Sequence, residues 1–215
     1  MMRQPSALLV IDLERGFLDA DSPLCIRQAA ATLPACGRVI AHARATGIPV
    51  FFVTRTYRAN GSDVENTRYP GWFAGGKPLA PGSSGPGSIE TPPEVTPQPG
   101  DYTIVKPRFS AFFQTELDLI LRRLGVRTLY LAGTTTPNCI RTTCYDGISL
   151  DYNVAVLTDC CSSNDEDIQQ SNLRDMANIG ACLLTSADFL AGHEPPDLAA
   201  QVREQVLADA TPPEP

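Results

Sequence analysis

Short all-apolar runs alternate with segments of helical periodicity along most of this chain, and no other feature limits its fold so tightly. Residues 6–11 (SALLVI), 48–53 (IPVFFV), 101–105 (DYTIV), 128–132 (TLYLA), 154–157 (VAVL) and 181–184 (ACLL) have the length and apolar character of strands buried on both faces. Between them, residues 34–46 place Val39, Ile40 and Ala43 on one stripe, with Pro34 suited to a first helical turn and Gly47 to a helix end. Phe113, Leu117, Ile120, Leu121 and Leu124 recur at helical spacing before Gly125, a helix is expected over residues 138–150, and Ile168, Leu173, Met176 and Ala177 mark another. Strand then helix, repeated with short links, is the pattern of right-handed βαβ units on a parallel sheet. The expected fold class is therefore α/β, a three-layer α/β/α arrangement with a six-stranded, mostly parallel, Rossmann-like sheet.

One stretch breaks the alternation. Residues 70–100 hold eight prolines and seven glycines, which predicts neither regular helix nor strand there. It belongs to an insertion spanning 57–100, read either as a solvated excursion or as a lid or subunit-contact arm over a site. Trp72, the only tryptophan, and Phe73 favour a packed loop. The domain is expected to span 1–190, followed over 191–215 by a helix near 197–208 and a frayed TPPEP end. Seventeen basic against 24 acidic residues give a net charge of −7, which argues against a nucleic-acid or anionic-membrane partner. No apolar run is long enough to span a bilayer, and the first strand begins too early to leave room for a signal peptide. Seven cysteines at irregular spacing make a complete disulfide framework a poor reading, so a reducing, cytoplasmic compartment is expected.

Ligands of open α/β sheets bind beyond the carboxyl ends of the strands. Asp12 follows the first strand; Thr54, Arg55, Tyr57 and Arg58 the second; Lys106 and Arg108 the third; GTTTPNC, ending at Cys139, the fourth; and Asp159, Cys160 and Cys161 the fifth. A carboxylate, an ammonium and a thiol thus converge on one sheet edge. Only two histidines exist, His42 and His193, and neither follows a strand, so Ser–His–Asp and Cys–His designs lack their base. Cysteine spacing suits no usual zinc chelate, and neither a Walker loop nor G-x-G-x-x-G occurs. Pro137-Asn138 makes a good helix start, placing Cys139 in a first turn where the helix dipole, free N–H groups and a nearby lysine would favour its thiolate. The chain uses fifteen arginines to two lysines, so a lysine directly after a strand suggests an ammonium with a purpose. On position alone, Cys139 could equally be a small buried apolar group, Lys106 a surface lysine and Asp12 a strand terminator.

Three ordered blocks carry more. ALLVIDLERGF, IVKPRFSAFFQTELDLILRRLGV and LAGTTTPNCIRTTCYDGISLDYNVAVLTDCCSS together resemble the isochorismatase-like cysteine hydrolases over roughly residues 6–190. The second block keeps K-x-x-x-S-A-F; the third keeps G-x-x-T-x-x-C with Thr143 and Asp146 at +4 and +7. The resemblance implies a Cys–Asp–Lys triad with Cys139 as nucleophile, Asp12 as general base and Lys106 orienting the carboxylate. It also implies a cis peptide at Thr134–Thr135 and an oxyanion hole from the N–H groups of Thr135 and Cys139. The implied reaction is hydrolysis of the C–N bond of a small amide, ureido or carbamoyl substrate through an acyl-enzyme, in a homodimer or homotetramer and without a cofactor. Nicotinamidases of the family carry an Asp-x-His…His metal set after the second strand; here that place reads VTRTYRANGSD, so no metal site is expected. True isochorismatases, which hydrolyse a vinyl ether, generally lack the cysteine. That reaction and a thiol redox sensor built on Cys139 and a neighbour such as Cys144 are the alternatives. Arg55, Arg58, Trp72, Arg108 and Arg141 are the candidate substrate-binding residues, any of the arginines being able to pair with a substrate carboxylate.

Overall fold

The computed structural model describes residues 5–209. Six strands, β1 (Ser6–Ile11), β2 (Val50–Thr54), β3 (Tyr102–Val105), β4 (Thr128–Thr134), β5 (Asn153–Ser162) and β6 (Cys182–Leu184), form one sheet in the order β3-β2-β1-β4-β5-β6. Every pairing is parallel. The apolar runs require this: all six residues of β1 and all seven of β4 are buried, so both faces of the sheet centre need cover.

Ala7, Leu9 and Ile11 face one layer, packing with Leu117 and Leu121 of α4 (Leu117–Arg123), Cys144 of α5 (Arg141–Ser149), and Leu173 and Met176 of α6 (Glu166–Asn178). Leu8 and Val10 face the other, against Val39 and Ile40 of α2 (Ala29–Ala45) and Phe189 of α7 (Ser186–Leu190). The chain starts at the sheet centre, builds outward to β3, then returns beside β1 as β4. Strand order therefore reverses between β1 and β4, which opens a crevice at their carboxyl ends.

Several elements differ from expectation. Helix α2 begins at Ala29, so Pro34 lies inside it rather than in its first turn; burial of Ala29, Thr32 and Cys36 against the sheet outweighs the lost N–H. Helix α4 starts only at Leu117, and Phe113 is exposed. Strand β5 runs ten residues, past a bulge opposite Leu131 and Gly133 of β4. Asp159, Cys160 and Cys161 therefore lie within the sheet and not beyond it. The Pro/Gly-rich stretch is not wholly irregular: α3 (Tyr69–Ala74) starts at Tyr69 with Pro70 in its first turn, and residues 93–95 make one 3₁₀ turn. Trp72 of α3 packs with Phe17 of α1 (Arg15–Leu18), Tyr57, Val64 and Leu79, forming a separate small core that holds the insertion against the domain. A final helix, α8 (Leu198–Asp209), leaves Leu198, Val202 and Val206 exposed. The TPPEP end lies outside the described residues. Among those described, no helix is long and apolar enough to cross a membrane.

Candidate active site

The crevice is built from the ends of four strands. Asp12 leaves β1 in the left-handed region at φ 52°, a conformation aspartate tolerates better than most residues, while its N–H still donates to Val53 O at 2.9 Å. Lys106 follows β3, its N–H donating to Thr54 O at 2.9 Å. Both side chains are buried, Lys106 completely. The Lys106 ammonium donates to Asp12 Oδ2 at 2.8 Å, to the Arg108 carbonyl at 3.3 Å and to Cys139 Sγ at 3.5 Å. Three residues distant in sequence thus meet around one ammonium.

Cys139 reaches this point through an unusual connection. After β4 the chain passes through a cis peptide at Thr134–Thr135, where the resemblance placed it, and a π-type turn over Thr136–Ile140 leads into α5. Gly133 must be glycine: its φ is +120°, and a Cβ there would lie 1.9 Å from Ile11 O of the adjacent strand. The hydroxyls of Thr134, Thr135 and Thr136 all donate to the Ser162 carbonyl, at 3.5, 3.2 and 3.1 Å, tying the turn to the end of β5. Thr143, buried on α5, accepts the Ala111 N–H at 3.0 Å. This bond fastens the lysine-bearing segment to the cysteine-bearing helix and accounts for the threonine four residues after Cys139.

The thiol does not behave as a first-turn cysteine was expected to. Burial and the Asp12 carboxylate push Cys139 up from 9 to about 11, against the pull of Lys106 and Arg55. At neutral pH the site therefore rests with a protonated sulfur.

A cavity of about 420 Å³ opens over the thiol, with Asp12, Arg55, Trp72, Phe109, Thr135 and Cys139 among its walls. Of the candidate binding residues, Arg55 and Trp72 line it. Arg58, Arg108 and Arg141 do not. Arg58 is largely exposed beside Asp63, 4.0 Å away. Arg108 turns its guanidinium to the Asp63 and Pro107 carbonyls, at 2.6 and 2.7 Å, offering the site only its main-chain oxygen. Arg141 points off α5 toward α6, pairing with Asp175 and Asn172. Helical spacing carried it to the wrong face of α5 for the cavity.

Three residues of the site were not singled out from the sequence. Glu14 is fully buried, its Oε1 accepting the Arg55 N–H at 2.5 Å, and burial together with Asp12 raises its carboxyl from 4.5 to about 8. An acid two residues after Asp12 was the available signal. Arg68 and Phe109, unlike Glu14, line the cavity itself; Arg68 lies in the insertion, where sequence spacing carries no directional information.

The family model described as the Isochorismatase domain matches residues 6–188. The chain belongs to the isochorismatase family. A probable inactive nicotinamidase of Arabidopsis thaliana is 38% identical over 179 residues, covering 81% of this chain and 89% of that protein. The ureidoacrylate amidohydrolase RutB of Enterobacter sp. (strain 638) is 29% identical over 212 residues, covering 91% of this chain and 92% of the enzyme. Among solved structures, an isochorismatase family protein from Desulfovibrio vulgaris superposes with a TM-score of 0.83 at 39% identity, covering 87% of this chain and 97% of that one. The metal set that the resemblance associates with nicotinamidases does not fit the residues present. Arg55, Tyr57 and Arg58 follow β2 with no histidine among them, and among the described residues no group of three or more His, Cys, Asp or Glu could hold a metal ion.

Proposed function

We propose that the protein is a cysteine hydrolase that cleaves the C–N bond of a small amide, ureido or carbamoyl compound through an acyl-enzyme on Cys139. The observation that carries this reading is the Lys106 ammonium, which binds the Asp12 carboxylate at 2.8 Å and the Cys139 sulfur at 3.5 Å in a buried crevice. The thiol proton passes to Asp12 as Sγ attacks the carbonyl carbon. The resulting oxyanion is received by the N–H groups of Thr135 and Cys139, both on the cavity wall. Collapse of the adduct breaks the C–N bond, the proton on Asp12 goes to the departing nitrogen, and a water molecule, deprotonated by Asp12, hydrolyses the thioester or thiocarbamate. Lys106 stays charged throughout and holds Asp12 in place.

The competing readings have less support. Vinyl-ether hydrolysis would leave the Cys139 thiol idle beside an ammonium. A thiol sensor pairing Cys139 with Cys144 would rely on a sulfur that is completely buried, with its thiol pushed up to about 12 by that burial. One relative is a probable inactive nicotinamidase, so the reading rests on the geometry of Asp12, Lys106 and Cys139 and not on kinship. The test is ammonia release across a panel of primary amides, ureides and carbamoyl compounds. Turnover of at least one compound that Cys139→Ala abolishes is the expected result, and turnover that survives Cys139→Ala overturns the proposal.

A further inference from the structure

Arg55 has more hydrogen-bonding capacity than its surroundings use. Its side chain is 1% exposed, and Nη1 donates to Tyr57 OH at 2.8 Å and to Glu65 Oε1 at 2.7 Å. Nε and Nη2 are buried and find no acceptor. Buried donors of a charged group are rarely left unpaired, because desolvation is not recovered. The two free groups are adjacent on one edge of the guanidinium, the edge that takes both oxygens of a carboxylate side-on. Arg55 lines the cavity over Cys139.

A second cation stands beside it. The Arg68 guanidinium lies 4.8 Å from the Phe109 ring centroid and that of Arg55 5.0 Å from it, and all three residues line the cavity. Asp12 is the only acidic residue on that wall, and Lys106 neutralises it. Glu65 offsets Arg55, whereas Arg68 makes no ion pair among the described residues. In a chain of net charge −7, this cavity wall thus carries an excess of positive charge.

We infer that Arg55, with Arg68 beside it across Phe109, forms a carboxylate subsite, so that the substrate is an anionic amide with its carboxylate a short distance from the scissile carbonyl. The orientation of the substrate relative to Cys139 rests on the hydrolase reading above; the subsite itself does not.

Binding is measured by calorimetry in the Cys139→Ala background, where turnover does not interfere. The probes are malonamate, succinamate and N-carbamoylglycine, each against its neutral counterpart, malonamide, succinamide or N-carbamoylglycinamide. At least one carboxylate is expected to bind about ten- to a hundredfold more tightly than its neutral partner, the value of a charge-assisted pair. Arg55→Gln should erase that preference, bringing each carboxylate to the affinity of its neutral partner in the same variant. Arg68→Gln, on the half-buried start of α3, should reduce it and serves where Arg55→Gln fails to fold. Equal binding within every pair, no binding of any carboxylate, or a preference that survives both substitutions overturns the subsite. Carboxylate binding that depends on Arg55, with no ammonia released by the wild type from any probe, would retain the subsite and sink the hydrolase reading. Release from neutral amides without preference for their acids would do the reverse.

Discussion

Glu14 makes the stability of this protein depend on pH in a direction opposite to that of an ordinary paired carboxylate. Its carboxyl is completely buried, one oxygen accepts the Arg55 N–H at 2.5 Å, and the other has no partner. Desolvation and, after it, the Asp12 charge lift it from 4.5 to about 8, while the Arg55 N–H and Lys106 pull it down by less. The folded protein therefore keeps a proton that the unfolded chain releases between those values. A raised folded-state value means stability that is fully present below the unfolded value and is lost as pH rises through the folded one. At about 1.36 kcal/mol for each pH decade separating the two, the ceiling on that loss is roughly 4–5 kcal/mol. Glu14→Gln isolates the effect, because glutamine keeps the acceptor for Arg55 and imitates the protonated acid without titrating. Urea denaturation of both proteins at pH 5 and pH 8.5 should show the wild type losing several kcal/mol relative to Glu14→Gln at the higher pH. Parallel stabilities across that interval would mean that Glu14 is ionised in the folded protein or hydrated after all, and would refute the reasoning.

Asp12→Asn should abolish turnover of any substrate found for the wild type, yet let Cys139 form its thiolate at lower pH than about 11, because the carboxylate is one of the groups holding it up; thiolate absorbance near 240 nm against pH reads this, and an unchanged or higher titration would contradict it. Gly133→Ala should cost more than about 3 kcal/mol or leave no soluble protein, because the new Cβ would lie 1.9 Å from Ile11 O at a positive φ; a Tm within a few degrees of wild type would show that β1 and β4 can part cheaply. Thr143→Val strands the Ala111 N–H and should cost about 1–3 kcal/mol in urea denaturation; a neutral effect would mean that the bond does not fasten the two segments.

The architecture was legible because it rests on hydrophobic periodicity, which is a local property. Ser6–Ile11 is bounded in the sheet as it is in the sequence, since an all-apolar run ending at Asp12 has no other comfortable state. The meeting of Asp12, Lys106 and Cys139 at one sheet edge was also legible. Asp12 and Lys106 are the first residues beyond β1 and β3, and Cys139 is the fifth beyond β4; a parallel sheet gathers such positions at one edge. What was not legible depends on direction rather than position. Arg55 and Arg58 are three residues apart beyond the same strand, yet one is buried in the cavity wall and the other stands in solvent. Their fates are decided by Glu65 and Tyr57, which capture Arg55, and by Asp63, which draws Arg58 away; all three lie in the insertion, whose path follows no periodicity. Strand β5 was underestimated for a related reason: its continuation through Asp159 and two cysteines is set by the bulge opposite β4 and not by its own composition.

The raised thiol value bears on how such a site can work. A lysine and a helix start would favour a thiolate, but they act on a sulfur that burial has cut off from water and that already faces a carboxylate. Asp12 and Lys106 together are neutral. Ionising Cys139 by releasing its proton to solvent would leave a buried negative charge beside the Asp12 carboxylate, and that cost exceeds what Lys106 and Arg55 return. Moving the same proton to Asp12 leaves the net charge of the three groups at zero, so the transfer avoids most of that cost. The sulfur then becomes the partner of Lys106, which already lies 3.5 Å from it. The protonated Asp12 is left holding the proton that a departing nitrogen requires. A resting thiol with a titration near 11 is thus compatible with attack at neutral pH, provided that the proton never leaves the crevice. Asp12→Asn tests this coupling directly, because it should make the thiolate easier to form and the enzyme inactive at the same time.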